Sequence, residues 1–261
     1  MALKYILPNF YNSFLCNKTL ITKLLRKKNI CGIAGSFPFS IFNGSYNNNK
    51  HEDVCLYENI CSAIKDYGLL SNFIILDYGN PNIEDFDYYD LYSQVIWDEY
   101  ANNTNVYFSV AHEGLLDYLV NTYPNINIIL HNNYTREHTT DEIQNKINSC
   151  SNIKGIITSS FNICSKVNNV FKIYLTPLHN CEECIHYKTC LKHEHNAILE
   201  FSSISQFEEC SLRELVYPEL ISKRIVLAEK YCDYIMFDTV LCGSQIEEYA
   251  LIETVMEITE G

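Results

Sequence analysis

The sequence predicts an α/β chain folded as a single (βα)8 barrel, and three observations carry that expectation. Short apolar runs alternate with amphipathic or polar segments of helical length, the pattern left by βα units around a parallel sheet. Eight such runs occur, each followed by a helical segment, and eight βα units close most naturally on themselves. The length of 261 residues lies within what α/β barrels fill as one domain. With no internal repeat or linker, residues 1–261 are read as one domain of the TIM type.

The strands are expected near Tyr5 to Pro8, Cys31 to Phe37, Phe73 to Asp77, Asn105 to Val110, Ile126 to His131, Ile153 to Thr158, Val170 to Thr176 and Tyr234 to Asp238. The helices between them are expected over Lys18 to Lys28, Cys55 to Gly68, Tyr88 to Ala101, Glu113 to Tyr123, Thr140 to Cys150, Asn162 to Asn168, Leu212 to Tyr231 and Gln245 to Glu257. Thr139, Thr140 and Asp141 offer capping groups before the fifth helix, with Glu142 in its first turn. Gly68 suits the end of the second. Two connections exceed plain turns: Pro38 to Val54 after the second strand, and a cysteine-rich insertion at 178–211 after the seventh. Both follow strands, so both open on the C-terminal face, where barrel active sites are built.

Composition narrows the function classes. The chain is 47% hydrophobic, with no low-complexity tract beyond Asn47 to Asn49, as a folded protein requires. Its net charge of -13 disfavours unassisted binding to a nucleic-acid backbone. The one basic cluster, Lys23 to Lys28, reads as a solvated helix face. No signal peptide and no apolar stretch of about 18 residues is visible, so a cytoplasmic protein without a membrane partner is expected. Reducing compartments do not sustain disulfide frameworks, so clustered members of its 12 cysteines read as metal ligands. Most of the others read as small buried hydrophobes.

Inside the second long connection the chain runs HNCEECIHYKTCLKHEHN and then reaches EEC, giving Cys181-x2-Cys184-x5-Cys190-x19-Cys210. Four thiolates suit an iron-sulfur cluster, 4Fe-4S by ligand count, or tetrahedral zinc. Structural zinc more often uses two paired knuckles, and here only Cys181 and Cys184 form one; iron-sulfur is therefore preferred, with zinc as the alternative. His179, His186, His193 and His195 stand near enough to replace one ligand. The bland alternative is a loop of free thiols. A C-x3-C-x2-C motif is absent, which disfavours radical S-adenosylmethionine chemistry.

At the barrel mouth, His112 and His131 are the first choices for proton chemistry, with the carboxylates Asp77 and Asp238 beside them. The competing reading for each histidine is a capped strand end. Glu113, opening a helix, serves the dipole equally well without chemistry. Ser36, Asn43, Asn132 and Thr176 are expected to hold substrate. Asn9, Phe37, Tyr78, Asn80, Asn133, Ser159, Ser160, His179 and Thr239 complete the rim. The His/Asp set also permits a second metal site without cysteine. The segment GSFPFSIFNGSYNNN, with Gly35 and Gly44 for tight turns, offers neutral hydrogen-bonding groups, which suit an uncharged or aromatic ligand. Phosphate loops, G-x-S-x-G and H-E-x-x-H are absent.

Gly35-Ser36-Phe37-Pro38 followed by Asn43-Gly44, the barrel pattern along nearly the whole chain, and the cysteine loop after a strand ending near Thr176 together resemble the collagenase-like peptidase family. Its relatives include cluster-bearing proteins of oxygen-independent hydroxylation. The resemblance implies an iron-sulfur cluster on Cys181, Cys184, Cys190 and Cys210, although the cysteine spacing is tighter and more His-rich than that family's. The resulting expectation is an oxygen-independent redox enzyme acting on a small molecule, nucleotide or peptide, served by an electron donor or second subunit. The alternatives are a hydrolase or isomerase pinned by structural zinc, and a non-catalytic cluster-bearing subunit.

Overall fold

The computed structural model describes residues 4–8, 19, 22–36, 62, 65–66, 73–79, 91–177, 218–238 and 245–260. Eight strands form one closed sheet in sequence order: β1 (Tyr5–Leu7), β2 (Ile30–Ser36), β3 (Phe73–Tyr78), β4 (Val106–Val110), β5 (Ile128–Leu130), β6 (Ile153–Thr158), β7 (Phe171–Pro177) and β8 (Tyr234–Asp238). Every pairing is parallel, and β1 bonds to both β2 and β8. The sheet therefore has no free edge. The helices between strands are α1 (Leu91–Tyr100), α2 (Glu113–Thr122), α3 (Asn132–Glu137), α4 (Thr140–Ser149), α5 (Phe161–Lys166), α6 (Pro218–Ala228) and α7 (Gln245–Glu260).

The eight expected strands are all present. Of the helix expected over 18–28, residues 19 and 22–25 are helical while 26–28 already form the turn into β2; of that expected over 55–68, only 62, 65 and 66 are described, and they are helical. Gly68 and the connections 38–54 and 178–211 lie outside the described residues. The structure departs from expectation at the fifth unit, where β5 stops at Leu130 and α3 precedes α4. The cause is local: His131 has extended backbone, and its Nδ1 accepts the Asn133 N–H at 3.0 Å, starting a helix where a loop was expected. The cap of α4 is as expected. Thr139 and Glu142 close a full capping box, with the Thr139 N–H donating to Glu142 at 2.7 Å, and that bond holds the Glu142 carboxyl below its ordinary range.

The lumen is filled in layers. Strand register puts Ile6, Ile75, Ile129 and Ile173, from alternate strands, at one height, and Ala34, Ser109, Ile157 and Met236 in the next layer toward the C-terminal mouth. Seven of these eight belong to, or pack against, one apolar cluster, and alternation of odd and even strands is how such barrels pack. Below, four aromatic rings close the floor: Phe73 lies 5.1 Å from Tyr107 and 4.9 Å from Tyr234, and Phe171 lies 5.5 Å from Tyr107 and 5.6 Å from Tyr234. Two glycines admit these rings. A Cβ on Gly155 would stand 2.2 Å from Phe171 Cε2, and one on Gly32 would stand 2.7 Å from Phe73 Cβ.

A second, larger core lies between barrel and helices around Trp97, Tyr78, Phe108 and Phe237. Part of the basic cluster has a structural use: Lys23 and Lys27 both reach Glu253 of α7 at 3.1 Å, and the two ammonium groups hold that carboxyl below its ordinary range. Among the described residues no helix is long and apolar enough to cross a membrane.

Because the Phe171 ring occupies the space a Cβ would need, Gly155→Ala should destabilise the barrel by about 1–3 kcal/mol, the usual cost of overpacking. The check is the midpoint of denaturant unfolding, and Gly155→Ala combined with Phe171→Leu should recover part of the loss.

Candidate active site

Three consecutive strand ends build the part of the mouth on which side-chain chemistry converges. Backbone bonds continue the ladder past the strands, since the Ala111 N–H donates to Tyr78 O at 3.1 Å and the His131 N–H to Val110 O at 3.0 Å. Phe73 and Ile75 of β3 point into the lumen, and strand alternation turns Asp77 the same way. Ile129 of β5 directs His131 inward by the same rule. With β4 between them, β3 and β5 are not neighbours, so the two side chains meet across the lumen: His131 Nε2 stands 3.4 Å from Asp77 Oδ1. Their side chains are 15% and 29% exposed, which leaves the pair sheltered but reachable from the mouth.

Both ring nitrogens of His131 are engaged, and this fixes their roles. Nδ1 accepts from the Asn133 N–H at 3.0 Å, so the neutral ring carries its proton on Nε2, facing Asp77. The separation of 3.4 Å is an ion-pair distance without hydrogen-bond alignment, and Asp77 Oδ1 is buried with no hydrogen bond. One register step away, Ser109 pairs with Asp77 along the β3–β4 ladder. Its side chain is fully buried in the layer below, and its hydroxyl also has no hydrogen bond. A buried oxygen without a partner costs about 1–3 kcal/mol, so two on adjacent strands mark a place that a ligand group or ordered water would complete.

The loop after β3 is shaped to the imidazole. A Cβ on Gly79 would fall 2.8 Å from His131 Cε1 and 2.9 Å from Nε2. Asn133 Nδ2 donates to Gly79 O at 2.7 Å, so the residue whose backbone caps the ring also fastens the loop against which the ring lies. The sequence reading did not single out Gly79. Its signal was the Asp-Tyr-Gly run closing a strand, where glycine allows a close approach.

The other expected site residues divide clearly. His112 caps α2, its Nδ1 accepting from the Leu115 N–H at 3.1 Å. Asn132 is buried and accepts from the Ser159 N–H at 3.1 Å, holding the β6 end rather than facing solvent. Ser160 caps α5. Glu113 is paired with Lys146 at 2.8 Å on the helix side. Burial and that carboxylate together keep the Tyr134 phenol protonated. Thr176 shares the helix-facing side of β7 with Tyr174 and is fully buried there, away from the lumen. Ser36 and Asp238 close their strands in register with Asp77 and Pro177.

Asn43 and Cys181, Cys184, Cys190 and Cys210 lie outside the described residues, as do Asn9, Phe37, Asn80, His179 and Thr239. Among the described residues no three His, Cys, Asp or Glu side chains gather as a metal site would require. No family model matches the chain, and no curated protein matches it.

Nitrogen NMR of the imidazoles should find neutral His131 as the Nε2–H tautomer. In Gly79→Ala the added methyl should push the ring from Asp77, moving both the His131 ring resonances and the Asn133 amide; unchanged resonances would contradict the close packing described above.

Proposed function

We propose that the chain is an enzyme that moves a proton on a small, uncharged ligand held at the C-terminal mouth of the barrel. Asp77 exchanges the proton and His131 positions it. The observation that carries the reading is the engagement of both His131 nitrogens, one by backbone and one facing Asp77. A ring so engaged has no lone pair left for substrate, whereas the carboxylate does. His131 Nε2–H faces one carboxylate oxygen at 3.4 Å, and a group so flanked is a general base of fixed direction. Isomerisation by proton abstraction and hydrolysis through a directed water are the reaction types this arrangement serves.

A second reading has its own support. β7 ends at Pro177, on the face where Asp77 and His131 stand, and Cys181 follows four positions later in the sequence. A 4Fe-4S cluster, or zinc, on Cys181, Cys184, Cys190 and Cys210 would then border the same mouth. The resemblance to the collagenase-like peptidase family belongs to this reading, as do an oxygen-independent redox reaction on a small molecule, nucleotide or peptide, and an electron donor or second subunit. The two readings are compatible, because a redox step at that mouth also needs a group that handles protons.

The test of the proton-transfer reading is a turnover screen of a small-metabolite library by mass spectrometry and solvent-deuterium incorporation. Asp77→Asn should retain the fold and ligand-induced thermal shifts, and should lose about 10²- to 10⁴-fold in turnover. His131→Gln should lose less and shift the pH profile. Turnover in Asp77→Asn at the wild-type rate would sink the assignment. For the second reading, anaerobic purification with iron, sulfide and zinc analysis should give a brown protein whose colour is lost in Cys184→Ser; a colourless protein carrying zinc would leave the proton-transfer reading alone.

A further inference from the structure

His131 does two things with one ring, and a second proton on that ring changes both. Its Nδ1 accepts the Asn133 N–H at 3.0 Å and so caps α3. Its Nε2 stands 3.4 Å from Asp77 Oδ1, a buried oxygen that has no hydrogen bond. A neutral imidazole has one acceptor nitrogen, whereas an imidazolium carries N–H on both sides. Protonation therefore sets Nδ1–H against the Asn133 N–H, donor against donor, while the new charge draws Nε2–H toward the carboxylate.

The ties around α3 confine the response to its first turn. The helix has six residues, too few to hold that turn by helix formation alone. Its remainder is fastened without the ring: the Thr135 hydroxyl donates to Ile157 O at 3.0 Å, and Asn132 Oδ1 accepts the Ser159 N–H at 3.1 Å. Asn133 is the link outward, because its Nδ2 donates to Gly79 O at 2.7 Å. Gly79 in turn lies against the imidazole, where a Cβ would stand 2.9 Å from Nε2. A ring that leaves the cap thus acts on the loop after β3 as well.

Among the described residues, Asp77 is the charged group that faces the ring. From the β4 end, His112 is turned to the cap of α2 and Glu113 to Lys146. Arg136 and Glu137 are exposed in the last turn of α3. β6 ends in Thr158, followed by Ser159, and neither carries a charge.

We propose that His131 is a proton-operated latch that regulates the proton transfer assigned to Asp77, the reading on which this inference rests. Neutral, the ring caps α3 and leaves the Asp77 carboxylate to the ligand. Protonated, it releases the Asn133 N–H and closes on Asp77 as an imidazolium–carboxylate pair, at the distance of about 2.7–2.9 Å usual for charge-assisted bonds. The carboxylate is then occupied by its neighbour, so acid withdraws the base. The sign follows from the cap, which is present while Nδ1 is bare and is lost as pH falls through the titration of the ring.

The test is an NMR titration of the nitrogen-15-labelled full-length protein from about pH 8 to about pH 5, the span in which imidazoles change charge. The Asn133 and Gly79 amides should move with the His131 ring nitrogens at one shared midpoint. The Leu115 amide, bonded to His112, reports that histidine separately. In Asp77→Asn the shared midpoint should fall by about one pH unit, as when an opposite charge at this range is removed. In His131→Gln the Asn133 movement should vanish while that of Leu115 remains. A His131 ring that stays neutral throughout, an Asn133 amide that is still while the ring titrates, or an unchanged midpoint in Asp77→Asn would overturn the latch and leave the base assignment standing. Wild-type turnover in Asp77→Asn, with the amide response intact, would overturn the base assignment and the regulatory role together, and would retain only the proton-dependent cap.

Discussion

Closing eight parallel strands into a barrel imposes a volume constraint: the inward side chains of alternate strands must interdigitate without gaps, because a narrow lumen has no space to relax into. The layers of Ile6, Ile75, Ile129 and Ile173, and of Ala34, Ser109, Ile157 and Met236, satisfy it with branched residues below and two small residues above. At the floor the same rule takes a sharper form. Phe73 and Phe171 fit only because Gly32 and Gly155 leave room for them, so large and small residues are matched across strands. The ring contacts with Tyr107 and Tyr234 then seal the N-terminal end. Whatever this barrel binds in its lumen must therefore enter from the mouth.

The same alternation governs the site. Residues from β3 and β5 share a layer, which is why Asp77 and His131, 54 positions apart in the chain, come within 3.4 Å of one another while β4 passes between their strands. The contact depends on backbone as much as on side chains. Gly79 supplies space for the ring, the Asn133 N–H fixes the proton on Nε2, and the Asn133 amide ties the β3 loop to α3. Each of these groups acts on the ring's orientation, so the pair is set before any ligand arrives, which is the preorganisation that a directed proton transfer needs.

Periodicity made the barrel readable: every strand was visible as an apolar run, because strands of a parallel sheet are buried on both faces. Thr139 and Glu142 announced their helix by composition alone. What periodicity does not carry is which small residues face which large ones, and so the pairing of Gly155 with Phe171 was invisible. For the site, His131 and Asp77 could be named from their places at strand ends, but their contact could not, since it depends on barrel stagger. The roles also changed. His131 and His112 spend Nδ1 on helix caps, a use that strand-end histidines share with Ser160. Thr176 stands one step of strand parity from the lumen, and a run buried on both faces does not display which parity faces inward.

Buried polar atoms without partners occur at several points in this molecule, and only some of them argue for a site. Thr176 Oγ1 and Trp97 Nε1 are both buried without a hydrogen bond, yet both belong to the layer between barrel and helices, where no ligand has access. Asp77 Oδ1 and Ser109 Oγ are equally without hydrogen bonds, but they lie at and just beneath the C-terminal end of the lumen, on paired positions of adjacent strands. An apolar residue of similar size at either place would remove the cost of an unpaired oxygen. Retaining a carboxylate there, aimed by a histidine that is itself held by backbone, is the kind of local departure from folding economy that accompanies function. The location of these unpaired atoms, more than their number, is what makes the mouth around Asp77 the place where this barrel's chemistry is proposed.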